Sequence, residues 1–556
     1  MADPLRLLAI ASRPSDYVEM ADLARALAAR RHDVSLLYLY SRDDPSAPRM
    51  LEQLSALSSE TGVNGVAVEV SELPPAMPVF DTTTPVEAAP GPPASATYPD
   101  VRPAAVNVLR SVALWARRRG LHLYPKNTIV GRAAYGAMHA IDSLSDRQRR
   151  ARARALFGSL RGRLRRLPLS MRFEAPIRVY QAAATLSYYE RFAAFFRQSI
   201  ANRRIDAILI PEDIVGSIWP VAIRAGHDSG IPALVLPYTL ANREEAIQSL
   251  KGAPSYQTRP SRVAAALYPR WRYREGSIDI VRLPSGHIFA HEDLGIAPAD
   301  PWMMNSGDAD KVLVDSRAAF EYFLAGGLPR EQLQVVGSVS QDRMFALHQA
   351  RSEHLAQLRR ELSLPDVKPL LVISGCPNQL TATVPFCEFT TIEDVAAFVG
   401  ASVSPLREHY HLVVRPHPNF TDFGRMLEPF GVKTTERPTA SLVPLADLFI
   451  AFASATIRWA IACGTPTVNY DVFHYGYGEF AAAKGVASVS GSAEFRNLAR
   501  GLVPGAPAYQ ALASQARHDR AEWSVMDGRS IERIEQEIHE ARSKRMKIVK
   551  EQPQHA

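Results

Sequence analysis

The sequence has little that would tie it to an oxidising compartment or to a membrane interior. Its three cysteines, Cys376, Cys387 and Cys463, have spacings that predict neither disulfides nor a metal site. No run of about 18 apolar residues occurs, and the most apolar region, 441–468, is interrupted by Asp447 and Arg458, which indicates core and not a span. The first residues lead into the apolar run 7–10 without signal-peptide architecture. We therefore expect a cytoplasmic protein that can also work at the inner face of a membrane.

Two short motifs are also missing. A dinucleotide-binding strand is normally followed by G-x-G-x-x-G, but the first predicted strand is followed by Ala11, Ser12, Arg13 and Pro14. No D-x-D motif is placed to hold a metal ion beside a phosphate. We therefore predict no cofactor and no bound metal.

The composition predicts a globular protein with more than one domain. Apolar residues make up 47% and charged residues 22% of 556 residues, and the net charge is a modest +7. A chain of this length can build two sizeable cores. Apolar runs at 5–11 and 32–40 enclose a stretch with helical spacing, in which Asp16 and Glu19 stand in capping-box positions. This strand-helix-strand opening predicts a doubly wound α/β fold.

The strand pattern restarts after residues 337–342, where we place a crossover between two Rossmann-like domains. We predict a first domain at 1–340, a second at 341–529 and a helical tail at 530–556 that has Ser530 as its N-cap. A single helix is expected at 341–362. The second domain is expected to contain strands at 369–374, 411–415, 448–452 and 466–470.

The first domain carries two unusual segments. Residues 72–103 are rich in proline and predict a long loop, and residues 104–198 or so have a helical pattern. Ten arginines and no acidic residue lie between Arg147 and Arg172, interleaved with leucines. Such a segment can contact an anionic membrane or a lipid-linked acceptor, although it can also be a solvated helical face or an RNA-binding arm. Because aromatic residues are sparse there, no nucleic-acid partner is expected.

Residues 448–470 form the most informative stretch. A short buried strand is followed by small residues and by Ser454 and Thr456, with a predicted helix at 455–463 that has Ser454 as N-cap. Small side chains allow an anion to approach free backbone amides, and the hydroxyls and the helix dipole favour its charge. The stretch therefore predicts a phosphate-binding turn, or else an ordinary capped helix.

A second stretch supports the anion-binding interpretation. The strand 411–415 ends in Arg415 and is followed by His417 between Pro416 and Pro418, which stiffen the turn. Ligands of open parallel sheets bind outside the carboxyl ends of the strands, so His417 and Ser454 should lie at one edge. We predict a diphosphate or phosphodiester site there.

Other polar residues follow predicted strands at the same edges. Asn378 lies in the loop after the strand 369–374, and we place it beside the donor phosphates. The last strand leads into Asp471, Tyr475 and Glu479, which can bind a sugar or ribose. Glu212 and Asp213 follow an earlier strand, where a carboxylate can act as a general base; Asp213 could equally cap the next helix.

These motifs resemble those of the GT-B glycosyltransferases. Val335 to Ser338 with Asp342 looks like the crossover of capsule and lipopolysaccharide transferases. Arg415-Pro416-His417-Pro418, followed by Ser454 and Thr456, looks like the histidine-proline and serine/threonine motifs of sialyl-, Kdo- and CDP-glycerol-type transferases. The resemblance implies two Rossmann-like domains facing across a cleft, whereas the helical basic insertion and the proline-rich stretch of the first domain have no counterpart in these families.

The resemblance also implies roles for the residues. His417 and the hydroxyls would hold the nucleotide phosphate of the donor, with Gly337 and Ser338 at the crossover also near the nucleotide. Glu212 or Asp213 would be the base. The implied reaction moves a sugar from a nucleotide-activated donor, CMP- or CDP-linked rather than UDP-linked, to a glycan or lipid-linked acceptor in surface polysaccharide biosynthesis.

Two rival functions remain open at this point. Nonhydrolysing nucleotide-sugar epimerases share the two-domain architecture, but they resemble each other in a Gly-Asp-Thr type turn where this chain has Ile210-Pro211-Glu212-Asp213. A non-catalytic polysaccharide-binding protein could use the basic segment as its working surface. A nucleotide-binding edge around His417 would argue against that second rival.

Overall fold

The computed structural model describes residues 3–41, 43–44, 46–69, 175–238, 240, 243, 246–247, 250, 256–276, 278–365, 367–378, 380, 387–417, 420–476 and 478–551. The chain divides into two compact units, Met1–Val86 with Phe192–Gly252 and Trp302–Ala556, and Glu87–Arg191 with Ala253–Pro301. The proline-rich segment at 72–103, the basic segment from Arg147 to Arg172 and Pro418 lie outside the described residues.

Strands and helices alternate along much of the chain. The strands, in chain order, are β1 (Arg6–Ala11), β2 (Asp33–Tyr40), β3 (Asn64–Glu69), β4 (Ala207–Ile210), β5 (Ala233–Val235), β6 (Arg272–Glu275), β7 (Ile278–Val281), β8 (Lys311–Val314), β9 (Leu333–Val335), β10 (Leu370–Ser374), β11 (His411–Arg415), β12 (Lys433–Thr434), β13 (Leu448–Ala451), β14 (Thr467–Tyr470) and β15 (Val486–Val489). The helices are α1 (Pro14–Ala29), α2 (Ala47–Thr61), α3 (Ala175–Arg203), α4 (Trp219–Asp228), α5 (Arg259–Leu267), α6 (Ser285–Asp293), α7 (Arg317–Ala325), α8 (Val339–Gln349), α9 (Arg351–Glu361), α10 (Ile392–Val403), α11 (Asp422–Leu427), α12 (Thr439–Leu442), α13 (Ile457–Cys463), α14 (Ser492–Gly501), α15 (Pro507–Trp523) and α16 (Ser530–Glu551).

The first unit contains two parallel sheets. The first sheet has seven strands in the order β3-β2-β1-β4-β5-β8-β9, and the second has six in the order β12-β11-β10-β13-β14-β15. All neighbouring strands in both sheets are parallel. Counted along the chain, the second sheet has the doubly wound order 3-2-1-4-5-6, and the first extends that order by one strand. The prediction of two Rossmann-like sheets is confirmed.

The described part of the second unit is built around buried polar contacts. It contains the start of α3, the helices α5 and α6, and the antiparallel hairpin β6–β7. Trp271 is buried and its Nε1 donates to Glu292 Oε1 at 2.7 Å, while Arg270 binds the same carboxylate through two nitrogens. The Tyr189 hydroxyl lies 2.8 Å from His287 Nδ1. These side chains therefore stabilise the unit internally.

Each sheet of the first unit has its own apolar core. The first core combines β1, β2 and α1 with residues of the last helix, since Ile534 and Ile538 are fully buried against Leu5 and Leu7. The second core lies around β10, β11 and β13, with Phe449 and Tyr470 among its largest buried side chains. The apolar spacing of the predicted tail therefore reflects packing against the first sheet.

Helix α16 is fixed to the crossover by one carboxylate. Asp342 Oδ1 accepts the amide N–H of Ser530 at 3.0 Å and its Oδ2 accepts that of Ile531 at 3.2 Å. The prediction that Ser530 caps this helix is therefore wrong, because Asp342 from α8 satisfies the first amides. Arg542 adds an ion pair to Asp206 at 3.0 Å, beside the first strand.

Several local predictions need correction. The predicted helix 341–362 is two helices, α8 and α9, and α1 begins at Pro14, so Asp16 lies inside its first turn and caps nothing. The strands β3, β12 and β15 were not predicted. No helix within the described ranges has both the length and the apolar character that a bilayer crossing requires.

We predict that replacing Asp342 with alanine lowers the free energy of unfolding by about 1–2 kcal/mol, because the first amides of α16 lose their acceptor. Urea denaturation measures the change. As a control, Asp422→Ala removes a half-exposed carboxylate from the first turn of α11 and should cost no more than about 0.5 kcal/mol. Equal losses in the two variants would contradict the capping role.

Candidate active site

The strand order places the candidate residues. Parallel strands end at one edge of a sheet, which we call the carboxyl edge, and doubly wound folds bind ligands where the strand order reverses. The order reverses between β1 and β4 in the first sheet and between β10 and β13 in the second. The loops after these four strands contain Arg13, Glu212, Asn378 and Ser454. The predicted base Glu212 and the predicted phosphate-binding residues Asn378 and Ser454 thus lie where doubly wound folds bind ligands.

At the first reversal, Glu212 is held by an arginine. Arg13 Nη2 lies 2.7 Å from Glu212 Oε1 and 2.8 Å from Asp16 Oδ1, and both carboxylates are buried. Burial opposes the charge of Arg13, but Glu212 and Asp16 raise the pKa of its guanidinium. Arg13 joins two loops almost two hundred residues apart, so local sequence could not identify it as part of the site.

Burial raises the pKa of the Glu212 carboxyl to about 7. Arg13 lowers the pKa of this carboxyl, and the charge of Asp16 raises it further. At neutral pH both protonation states are populated, as a general base requires.

Asp213 points at a different part of the chain. Its amide N–H donates to Asn305 Oδ1 at 2.7 Å and its carbonyl accepts the Asn305 N–H at 2.8 Å. A Cβ on Gly307 would lie 2.0 Å from Asp213 Oδ2, so the carboxylate packs against the loop before β8. Burial, Asp308 and Glu212 raise the pKa of Asp213 to about 7. The next helix, α4, begins at Trp219, so Asp213 does not cap it.

At the second reversal, two hydroxyls come together. We call residues 453–456 the hydroxyl turn. Ser454 Oγ lies 3.0 Å from Thr456 Oγ1, and both residues are half-buried. Ala453 has a φ of 46°, and its N–H donates to Asn469 Oδ1 at 2.9 Å. Helix α13 begins at Ile457, two residues later than predicted, so the hydroxyls lie on a turn that precedes the helix.

His417 lies one strand further along the second sheet. It follows β11, and β10 separates β11 from β13, which puts about 10 Å between their axes. Burial and the charge of Arg415 lower the pKa of His417 to about 4, so its half-buried ring is neutral at pH 7. Arg415 has a buried Nε without a hydrogen-bond partner, while its Nη1 donates to the Pro416 carbonyl.

The loop after β10 fits closely against His417. The Gly375 N–H donates to the Arg415 carbonyl at 2.7 Å, and a Cβ on Gly375 would lie 2.4 Å from the His417 nitrogen. Only glycine therefore allows the two loops to approach. Asn378, three residues on, is exposed at this edge.

The crossover residues have structural contacts. Gly337 has a φ of +81° and faces Ser530, whose Oγ would lie 2.2 Å from an added Cβ. Ser338 is buried, and its Oγ accepts the Gln341 N–H at 3.2 Å, which caps α8. Both residues thus hold the crossover and the last helix together.

The predicted sugar-binding loop is held by its own carboxylate. Asp471 accepts the amide N–H groups of Tyr475 at 2.9 Å and Gly476 at 2.7 Å. The Tyr475 ring packs 5.5 Å from that of Phe473. Burial and the charge of Asp471 raise the pKa of Glu479. Asp471 therefore shapes the loop that carries Tyr475 and Glu479.

One side chain of the second sheet reaches the carboxyl edge of the first. Arg458, two residues after Thr456, donates through Nη2 to the Tyr238 carbonyl, and its Nη1 lies 3.6 Å from Asp315 Oδ2. Tyr238 follows β5 and Asp315 follows β8, which are neighbouring strands. Sequence reasoning missed Arg458, although a charged residue inside the most apolar region was a usable signal.

A group with metal-ligand chemistry lies elsewhere, where His32, Glu535 and His539 place one ligand atom each within 4.8 Å of one another. However, His32 Nδ1 accepts the Leu5 N–H at 3.1 Å, so the ring proton is on Nε2, which lies 3.0 Å from Glu535 Oε1. A metal ion needs the free electron pair of that nitrogen. The contacts therefore fit a hydrogen-bonded junction between α16 and the first sheet.

No protein-family model matches this chain, and no curated protein matches it in sequence. Solved structures resemble it at low identity. UDP-GlcNAc 2-epimerase from Neisseria meningitidis, bound to UDP-GlcNAc, is 9% identical over 96% of this chain and 100% of its own, with a TM-score of 0.46. The calicheamicin glycosyltransferase CalG4 is 12% identical over 97% of this chain and 98% of its own, with a TM-score of 0.47. The wall teichoic acid polymerase TagF is 15% identical over 43% of this chain and 59% of its own, with a TM-score of 0.33. At these scores none of the three assigns a reaction to this chain.

We predict that Gly375→Ala destabilises the protein by about 1–3 kcal/mol, since the new Cβ would overlap the backbone of residues 416 and 417. Urea denaturation measures the loss. The matched control is Gly478→Ala, where an added Cβ has no neighbour within 4 Å. If Gly375→Ala lowers the free energy of unfolding no more than Gly478→Ala does, the two loops do not approach closely.

We also predict that the His417 ring titrates near pH 4, below the ordinary value of 6.5. Between these values the unfolded chain binds more protons than the folded one, so this group lowers stability as the pH falls from 6.5 towards 4. NMR titration of the imidazole carbons, assigned with His417→Gln, measures the midpoint. A midpoint at 6.5 would show that the ring is not buried.

Proposed function

We propose that this protein is a glycosyltransferase that moves a sugar from a nucleotide-activated donor to a glycan or lipid-linked acceptor in surface polysaccharide biosynthesis. The observation that supports it most is the Arg458 contact, which brings the hydroxyl turn of the second sheet to the carboxyl edge of the first. The donor would bind on the second sheet and the acceptor on the first. Both positions are strand-order reversals, where doubly wound folds bind ligands.

Glu212 is the proposed general base. Its pKa of about 7 lets it take the proton of an acceptor hydroxyl at neutral pH as that oxygen attacks the anomeric carbon. Arg13 fixes the carboxylate and balances its charge. The carboxylate of Asp213, the other candidate, packs against Gly307, and the Asp213 backbone is hydrogen-bonded to Asn305. We therefore give Asp213 the role of anchoring the loop before β8.

Charge that develops on the departing phosphate would be stabilised by the second sheet. Ser454 and Thr456 form a half-buried hydroxyl pair in which one O–H donates to the other oxygen, so the second O–H remains for the phosphate, and the neutral His417 ring offers a further N–H. Arg415 adds a positive charge at the same edge, and Asn378 is exposed in the loop after the neighbouring strand β10. Fixed donors of this kind lower the barrier because they need no reorganisation during the reaction.

The finer assignments follow from the sequence. A CMP- or CDP-linked donor is favoured over a UDP-linked one, with Tyr475 and Glu479 on the sugar. A lipid-linked acceptor would be met at the membrane by the basic segment from Arg147 to Arg172. Gly337 and Ser338 would act on the nucleotide only through the crossover that they hold in place.

We predict that one of CMP, CDP, UDP and GDP raises the melting temperature of the wild type, and that His417→Ala and Ser454→Ala reduce the shift. A ligand at 100 times its dissociation constant adds about 2.7 kcal/mol to stability, which thermal shift detects readily. Ser492→Ala, a surface change at the start of α14, serves as the control and should keep the full shift. Absence of any shift in the wild type would overturn the proposal.

Glu212→Gln should lower turnover by about 10²–10⁴-fold while the melting temperature and nucleotide binding stay close to wild type. Asp213→Asn should instead lower the melting temperature, because an amide replaces the carboxylate that accepts the Gly307 N–H. Release of nucleotide from CMP-sialic acid or a CDP-linked sugar measures turnover. Conversion of a nucleotide sugar into its epimer without an acceptor would establish the epimerase alternative, and full turnover in Glu212→Gln would remove the base assignment.

A further inference from the structure

Arg458 is a buried cation that belongs to neither core. Its side chain is 9% exposed, although it lies on α13 among apolar neighbours such as Ile457 and Ile461. Burying a guanidinium is unfavourable unless its charge and its N–H groups find partners. The partners of Arg458 are on the other sheet, so its burial depends on the two sheets being in contact.

The contacts of Arg458 use two of its three nitrogens. Nη2 donates to the Tyr238 carbonyl, and Nη1 forms the ion pair with Asp315. Asp315 is buried as well, and its other carboxylate oxygen accepts the Ser316 hydroxyl at 3.0 Å. Nε has no hydrogen-bond partner. The planar guanidinium can bind a carbonyl and a carboxylate at once, which a lysine ammonium on a single nitrogen cannot do with the same geometry.

The position of Arg458 links the two proposed parts of the site. On one side, it follows Thr456 of the hydroxyl turn by two residues in the chain. On the other side, Tyr238 follows β5, the neighbour of the strand β4 that leads into Glu212. Arg458 therefore connects the helix after the hydroxyl turn to the loop next to the one that carries Glu212.

Other contacts between the sheets do not involve the hydroxyl turn. The Ser340 hydroxyl donates to Glu19, and Arg343 forms an ion pair with Asp22. Both pairs join α1 to α8 near the crossover. The Arg343–Asp22 pair contains no residue of α13, so it provides a comparison for Arg458, whereas the charge of Arg458 lowers the pKa of Glu19.

We propose that Arg458 is a positioning residue that, together with Asp315, sets the distance between the hydroxyl turn and Glu212, so that a donor held by the second sheet meets the base of the first. The inference rests on the proposed function. In this role Arg458 touches neither the reacting atoms nor the phosphate. Its loss should therefore impair the chemical step and leave nucleotide binding to the second sheet intact.

The test compares Arg458→Met, Arg458→Lys and Asp315→Asn with Arg343→Met, which removes an ion pair between the sheets away from the hydroxyl turn. Turnover of CMP-sialic acid or a CDP-linked sugar, whichever the wild type uses, gives kcat and the donor KM, and calorimetry gives the affinity for the matching nucleotide. We expect kcat to fall about 100-fold in Arg458→Met, with the donor KM and nucleotide affinity within about threefold of wild type, as for an interaction needed only in the transition state. Arg343→Met should keep kcat within about threefold.

Two further results are expected from the same set. Arg458→Lys should have a higher kcat than Arg458→Met, because lysine keeps the positive charge and one of the two contacts, to the Tyr238 carbonyl or to Asp315. The double variant of Arg458→Met and Asp315→Asn should lose no more kcat than Arg458→Met alone, since both changes break one pair. If Arg458→Met does not fold, Arg458→Lys and Asp315→Asn are compared with Arg343→Met instead.

The outcomes separate the two proposals. If the wild type binds nucleotide and Arg458→Met keeps its kcat, or loses kcat and nucleotide affinity in equal proportion, the positioning role is overturned and the proposed function stands. If the wild type binds none of the nucleotides and turns over neither donor, the proposed function fails and the positioning role falls with it.

Discussion

The reversal of strand order in each parallel sheet is the constraint on which the candidate site depends. Where β1 neighbours β4, and where β10 neighbours β13, the loops on either side diverge and leave backbone and polar groups uncovered. This chain places Arg13 and Glu212 at one reversal and the hydroxyl turn at the other. Arg13 and Glu212 are distant in sequence and adjacent only because of the sheet. The proposed chemistry therefore depends on the strand order, because no single sequence motif contains the residues that it needs.

Buried charge is the second feature that the two edges share. Arg13 is placed between Asp16 and Glu212, and Arg458 between Tyr238 and Asp315. Such groups stabilise less than apolar packing of the same volume would, because desolvation offsets much of the attraction. At the first edge, burial raises the pKa of Glu212 and Asp213 to about 7, which is typical of sites where protonation and charge serve a reaction.

The sequence predicted the parts of the structure that local pattern controls. Buried strands such as β1 and β13 are short apolar runs, and the isoleucines of α16 mark one face of a helix. The edge strands β3, β12 and β15 escaped prediction because they are largely half-exposed and lack an apolar run. The partners of Arg458, which are Tyr238 and Asp315, could not be assigned either, because the contacts join positions more than a hundred residues apart. The hydroxyls of the turn were found, since small residues before a helix are a local signal, but the start of the helix was misplaced.

Helix α16 has a consequence for synthesis of the chain. The core under β1 is completed by Ile534 and Ile538, which leave the ribosome after the second sheet has been made. An amino-terminal domain usually folds first during translation. In this chain, part of the apolar surface of the first sheet stays uncovered until α16 has been synthesised. Nascent chains of intermediate length should therefore depend on chaperones until the final helix emerges and Asp342 can bind its first amides.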